Sequence, residues 1–348
     1  MITASCTIAL DSTYSVGRNL SGVGVYSREI GNELAVANPE ARFLLCYRPH
    51  RFLRSFKIAQ PGNVGRRLLW NGSPRSVDLF HGLNQRLDRR YRRTVSTFHD
   101  LFVLTGEYST PEFRARFAEQ AKQAAELSDL IIAVSEFTAA QVCDLLKVER
   151  SRIRVVPHGV RIPQNAATLT REPVILFVGA IQKRKNVQRL VSAFESTPPG
   201  WKLVLAGSLG YGAEESLNQV EHSSRRNDIT MAGYVDDLEL EVLYARASIF
   251  AFPSLDEGFG IPVLEAMARG VPVLTSNCSA MKEVAGEAAI LVDPKNTEQI
   301  AAALIRLIRD DDFRTELSQK GLKHASRYTW SGAASQTWEV YRELLAAG

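Results

Sequence analysis

Residues 253–270 read PSLDEGFGIPVLEAMARG and follow an apolar run, SIFAF, at 248–252. The run has the length and the aromatic content of a buried strand, and Pro262 suits the first turn of a helix, so the segment spells strand, loop, helix. In open α/β sheets ligands bind at that join, because helix N-termini offer free N–H groups and partial positive charge beside the carboxyl ends of the strands. Gly258 and Gly260 allow a ligand to approach the backbone. Glu257 and Glu265 put two carboxylates around the opening, each able to accept hydrogen bonds from vicinal hydroxyls such as sugars and riboses carry. Taken alone, the same residues also read as a helix cap and a solvated first-turn acid.

The alternation extends along the chain. Strand-like runs at 7–10, 43–47, 77–80, 94–98 and 130–134 alternate with helical patterns such as 24–37. The pattern resumes with runs at 173–178, 202–206, 248–252, 272–275 and 289–292, separated by helices at 187–196 and 236–246. Such alternation marks βαβ units and parallel sheets, and 348 residues exceed one ordinary domain, so two doubly wound α/β domains are expected. Residues 162–172 (IPQNAATLTRE) are polar, aperiodic and flanked by prolines, which places the linker there. The expected division is residues 1–163, residues 173–330, and a final helix, 331–348, that carries Trp338, Tyr341 and Leu344 at helical spacing and packs back toward the first domain.

A composition of 45% hydrophobic and 23% charged residues is that of an ordinary globular protein. Four dispersed cysteines, Cys6, Cys46, Cys143 and Cys278, form no metal or disulfide pattern and fit reduced thiols in the cytoplasm. The N-terminal residues lack the basic and apolar regions of a signal peptide, and no apolar run approaches the roughly 20 residues of a spanning helix. Residues 1–165 carry 23 Lys/Arg against 15 Asp/Glu, a charge of +8, whereas residues 166–348 carry 19 against 23. Arginines cluster at 48–67 and again at 86–93. They read either as a solvated face or as a surface for anionic lipid, with peripheral contact at the inner membrane face, or for a pyrophosphate-linked acceptor. Basic residues are not interleaved with aromatics in the manner that stacks bases, so nucleic acid is not expected as a partner.

Three further segments end strands. FVGAIQKRKN at 177–186 leaves a strand through Gly179 and delivers Arg184 and Lys185 just before a helix, an arrangement suited to a diphosphate, although basic loops are often merely solvated. TFHDL at 97–101 places His99 at a carboxyl edge, where a lone histidine is more often structural than catalytic. GVGVY, with Gly22, Val23 and Gly24, opens a helix but lacks the full dinucleotide spacing.

Taken together, the Glu-x7-Glu segment 257–265, the Gly-x4-Arg-Lys-Asn segment 179–186 and the His-Asp-Leu phrase at 99–101 resemble the signatures of family 4 retaining glycosyltransferases. DLFHG (78–82), VSEFT (134–138), VPHGV (156–160) and LVDP (291–294) appear in family order, so the resemblance covers about residues 15–345. It implies a GT-B fold, two Rossmann-like domains facing each other across a cleft, and transfer of a hexose from a sugar nucleotide to a glycan or lipid-linked acceptor. It further implies that Glu257 touches the transferred sugar, that Gly258, Phe259, Gly260 and Ile261 line the site, and that Glu265 binds the ribose. Arg184 and Lys185 would hold the diphosphate beside Gly179, His99 would contact the donor hexose, and Gly22, Val23 and Gly24 would lie near the phosphates. Many members carry Arg after the strand-ending Gly; Ala180 stands here instead.

The His-Asp-Leu phrase resembles most the mannosyltransferases that use GDP-mannose, with UDP-glucose or another UDP-hexose the alternative donor. The acidic runs 236–237 and 310–312 fall in or at the start of surface helices, and no Asp-x-Asp follows a strand, so metal-independent transfer with no cofactor is expected. The resemblance implies front-face displacement with retention. A nucleotide-sugar epimerase would share the fold but need no acceptor, and the 257–265 segment argues against it. A non-catalytic nucleotide-sugar sensor would dispense with His99 and Gly22–Gly24, which are present.

Overall fold

The computed structural model describes residues 6–17, 19–71, 73–163 and 170–346. Its strands are β1 (Thr7–Asp11), β2 (Arg42–Tyr47), β3 (Val64–Leu68), β4 (Leu79–Gly82), β5 (Thr94–Phe98), β6 (Leu130–Ala133), β7 (Ile153–Val155), β8 (Glu172–Val178), β9 (Lys202–Ala206), β10 (Ile229–Gly233), β11 (Ala247–Phe252), β12 (Val273–Ser276) and β13 (Ala289–Val292). The helices are α1 (Gly22–Ala37), α2 (Pro49–Phe52), α3 (Phe102–Thr105), α4 (Pro111–Leu127), α5 (Glu136–Leu146), α6 (Val187–Glu195), α7 (Ala213–Glu221), α8 (Asp237–Arg246), α9 (Ile261–Ala268), α10 (Ser279–Ala285), α11 (Thr297–Arg309), α12 (Asp311–Ala325) and α13 (Trp330–Ala346).

Two compact units result. The first holds the described residues of Met1–Leu104, Pro111–Gly159 and Thr329–Gly348; the second holds those of Thr105–Thr110 and Val160–Tyr328. The chain therefore passes from the first unit to the second after Gly159 and returns at Thr329, so that α13 belongs to the first. Much of the linker expected at 162–172 lies outside the described residues, which omit 164–169.

Each unit is built on a wholly parallel sheet. The first has the order β3-β2-β1-β4-β5-β6-β7 and the second β10-β9-β8-β11-β12-β13. In both, the chain runs outward from the first strand, returns, and continues on the other side, so a switch point lies between β1 and β4 and another between β8 and β11. The central strands are covered on both faces: β4, β5, β6 and β12 are buried at every position, including polar residues such as His81, Thr97 and Thr275.

The final helix closes the first core. Trp330, Ala333, Ala334, Val340 and Tyr341 pack with Tyr26, Ile30 and Leu34 of α1. A buried polar chain reinforces this: the Tyr341 hydroxyl meets His81 Nδ1 at 2.5 Å, His81 Nε2 meets Thr97 Oγ1 at 2.8 Å, and the Tyr26 hydroxyl lies 2.9 Å from the same Thr97 oxygen. Each acidic run opens with a helix cap. Asp236 caps α8 in a capping box with Glu239, and the Asp310 side chain caps α12. No helix of the described residues is long and apolar enough to cross a membrane.

Candidate functional site

The segment 253–270 leaves β11 at the second switch point, beside the carboxyl end of β8. Gly179 and Gly207 end β8 and β9 there with φ of +150° and +151°. A Cβ on Gly207 would stand 1.9 Å from the Gly179 carbonyl oxygen, so the two strand ends meet backbone to backbone. Neither clash nor φ can be relieved by moving a side chain. Gly207→Ala is therefore expected to destabilise the second unit by about 2–4 kcal/mol; an unchanged melting temperature would refute this.

Past Gly179, a single 3-10 turn, Lys183–Lys185, ends at Asn186 in the left-handed conformation, and α6 starts from it. The Asn186 amide donates to the carbonyls of Pro253 (2.9 Å) and Pro294 (2.7 Å), while Leu255 N–H donates to the Arg184 carbonyl at 2.7 Å. The two loops are thus stitched together by the Asn186 side chain and by one backbone hydrogen bond.

On that frame Glu257, Arg184 and Lys185 converge. Arg184 reaches Glu257 Oε2 at 2.8 Å and also donates to the Asp256 carbonyl at 2.9 Å. Lys185 Nζ reaches Glu257 Oε1 at 2.5 Å and lies 4.6 Å from the centre of the Phe252 ring. The Ser254 hydroxyl donates to Glu257 Oε1 at 2.6 Å, and Glu257 N–H donates to Ser279 Oγ at 3.2 Å. All three charged side chains are about nine-tenths buried. Burial pushes the Glu257 carboxyl up, but Arg184, Lys185 and Ser254 outweigh it and hold it at about 2. The trio is ionised, carries one net positive charge, and is rigidly oriented.

Gly260, with φ +99°, is the N-cap of α9, Pro262 sits in the first turn, and Phe259 is buried. Glu265 faces a different set of partners. Its Oε2 accepts from the Tyr244 hydroxyl at 3.0 Å, and Arg269, which pairs with Glu241, donates to its backbone carbonyl at 2.9 Å. Burial lifts the Glu265 carboxyl above its usual range, with Arg269 and Tyr244 opposing.

His99 and Gly22–Gly24 belong to the first unit. Gly22, Val23 and Gly24 form the first turn of α1, capped by Ser21. His99, one residue past β5, is buried; its Nε2 lies 2.9 Å from the Leu83 carbonyl, an acceptor, so Nε2 carries the proton. Nδ1 lies 3.3 Å from His158 Nε2, and Tyr26 packs edge-on at 4.7 Å. Burial lowers His99 to about 4, the Leu83 carbonyl opposing, so the ring is neutral at ordinary pH.

Sequence reading missed several groups. Ser254 and Asp256 lay within the quoted segment with nothing to mark them. Asp256 is buried, accepts from Thr105 Oγ1 at 2.7 Å, and is raised by burial. Tyr244 and Gly207 stand outside the motifs in sequence, and His158 lies in VPHGV with nothing to mark it. Among the described residues no group of three or more His, Cys, Asp or Glu side chains gathers as a metal site.

Residues 161–324 match the family Glycosyl transferases group 1, and residues 20–162 match Glycosyltransferase Family 4. The chain is 30% identical over 368 positions to the O-antigen chain mannosyltransferase B of Escherichia coli, a match that covers 93% of this chain and 97% of that protein. It is 26% identical over 275 positions to the serotype-specific mannosyltransferase WbdA of Escherichia coli, covering 73% of this chain and 34% of WbdA. The solved sucrose-phosphate synthase of Thermosynechococcus elongatus shares the fold with a TM-score of 0.80 at 23% identity, covering 99% of this chain and 100% of that one. With two parallel sheets of the doubly wound order and matches that run the length of the chain, the protein belongs to family 4 of the glycosyltransferases and is a glycosyltransferase of the GT-B fold.

Proposed function

We propose that the protein transfers mannose from GDP-mannose, with retention and without a metal ion, to a glycan or lipid-linked oligosaccharide. The observation that carries the donor-binding part is the buried Arg184–Glu257–Lys185 trio at the second switch point. The mannosyl part rests on the similarity to the O-antigen chain mannosyltransferase B.

In this reading Arg184, Lys185 and the start of α6 face the diphosphate and stabilise the charge that grows on it as the bond to the anomeric carbon breaks. The acceptor oxygen bonds to that carbon from the same face, and its proton passes to the departing phosphate oxygen. Glu257, held ionised, orients both cations and stabilises positive charge developing on the sugar ring. Glu265, fixed by Tyr244, accepts from the ribose hydroxyls. His99 contacts the hexose as a neutral ring.

Calorimetric titration with GDP, UDP, GDP-mannose and UDP-glucose, with and without magnesium, tests the donor. Tight binding of the guanine nucleotides that magnesium leaves unchanged is expected; preference for the uridine pair overturns the mannosyl donor, and dependence on magnesium overturns the metal-free mechanism. Glu265→Ala is expected to weaken nucleotide binding roughly 10- to 100-fold, the scale of one or two charge-assisted hydrogen bonds. Equal affinity would remove Glu265 from the ribose. His99→Ala is expected to lower kcat more than it weakens nucleotide binding; a loss confined to affinity would assign His99 a structural role.

A further inference from the structure

Part of the arginine cluster at 86–93 lines a hollow that the reaction does not use. Residues 74–78 lead into β4 and residues 89–92 into β5, two neighbouring parallel strands, so both segments lie at the amino edge of the first sheet. His99 stands beyond the opposite, carboxyl edge; the five residues of β5 put roughly 16 Å between the two, at ~3.3 Å per residue. The hollow the two segments enclose measures about 500 Å³, the size of a small-molecule site.

Its walls carry Arg75, Arg89, Arg90 and Arg92 against one acid, Asp78. Arg89 is held in place: it donates to the Pro74 carbonyl at 2.6 Å and lies 4.4 Å from the centre of the Tyr91 ring, which stacks on Phe80 at 4.0 Å. Its Nε is buried and has no hydrogen-bond partner. Arg90 pairs with Asp129 at 2.5 Å. Arg92 is exposed and reaches Asp78 only at 3.8 Å, while the other oxygen of Asp78 accepts from Thr7 N–H at 2.9 Å. Arg75 is exposed and has no ion pair among the described residues. Even with Asp129 counted beside Asp78, four cations face two carboxylates, and two positive charges are left over.

The chemistry narrows the ligand. All four cations are guanidinium groups, whose planar forks match phosphate and carboxylate oxygens two at a time. Two surplus positive charges suit a phosphate dianion better than a single carboxylate. Among the described residues Tyr91 alone brings an aromatic ring to the walls, and Phe80 and Arg89 occupy it, which leaves a nucleobase nothing to stack on. The apolar wall residues Pro74 and Val77 are buried, so the hollow is shaped for a soluble ligand. We propose that it binds a small soluble phosphate, free or carried on a sugar, at a site separate from that of the donor.

Calorimetric titration of the full chain with pyrophosphate, and separately with mannose 6-phosphate, tests this. The parent should bind one more equivalent than Arg75→Ala/Arg92→Ala, or bind it at least ~10-fold more tightly, the scale of one lost charge-assisted hydrogen bond. Both side chains are exposed, so the variant should keep the parent melting temperature and the parent affinity for GDP and UDP. Tighter binding of mannose 6-phosphate assigns the phosphate to a sugar, and tighter binding of pyrophosphate assigns it to the free anion. Equal stoichiometry and affinity in the two proteins, or an extra equivalent that vanishes in ~0.15 M sodium chloride as diffuse attraction would, overturns the proposal. If the donor site takes no pyrophosphate, the parent still binds one equivalent and the variant none, so failure of the donor reading leaves this comparison intact.

Discussion

Glu257→Ala is expected to lower sugar transfer by at least ~100-fold and to destabilise the second unit by about 3–5 kcal/mol. The two losses share one cause. The carboxylate is the common partner of Arg184 and Lys185, and with it gone two buried cations face each other without a counter-charge. Glu257→Gln keeps the shape and can still accept from Ser254, so it should recover part of the stability but little of the rate. Initial rates and melting of the three proteins check this; an Ala variant as active as the parent would remove Glu257 from the chemistry. Because the folded carboxyl sits near 2 and its ordinary value is 4.5, its contribution is complete above about pH 4.5 and lost as pH falls toward 2.

The first unit is expected to lose stability steeply between about pH 6.5 and pH 4, well before Glu257 is affected. Burial holds His81 at about 3 and His99 at about 4, and keeps His158 well below its ordinary 6.5. In the unfolded chain all three take up protons near pH 6.5, whereas the folded unit refuses them. Stability is therefore full above 6.5 and falls with pH, by about 1.4 kcal/mol per pH unit for each histidine and about 4 for the three. Urea unfolding at several pH values, followed by tryptophan fluorescence, measures the slope. His81→Gln should reduce it by about a third, and a flat profile from pH 7 to 5 would contradict the burial of the three rings.

Three strands escape sequence reading, β3, β7 and β10, and all three lie at sheet edges. An edge strand is covered less completely, so its residues need not form an apolar run. β3 reads VGRRL and β7 reads IRV, where arginines interrupt the pattern. The central strands were legible because both their faces are covered. In the site, Glu257, Arg184 and Lys185 were legible because each sits in a short motif ending a strand, and the sheet order brings those ends together. His81 and His158 were also within quoted phrases, but their meeting with Thr97, Tyr341 and His99 depends on contacts across as many as 260 positions, for which a single sequence holds no local signal. Tyr244, Gly207 and Asp256 belong to the same class.

The hydrogen bond between His81 and Tyr341 also bears on the order in which the protein is made. The strands of the first unit leave the ribosome before the second unit, yet α13, which packs into their core, leaves after the whole of it. At ~5–20 residues per second the interval is on the order of ten seconds or more. Throughout it, Tyr26, Ile30 and Leu34 of the nascent chain have no helix to cover them. Of the two units, the one begun earlier is thus completed later, and its half-finished face is a surface for the cell's chaperones to guard.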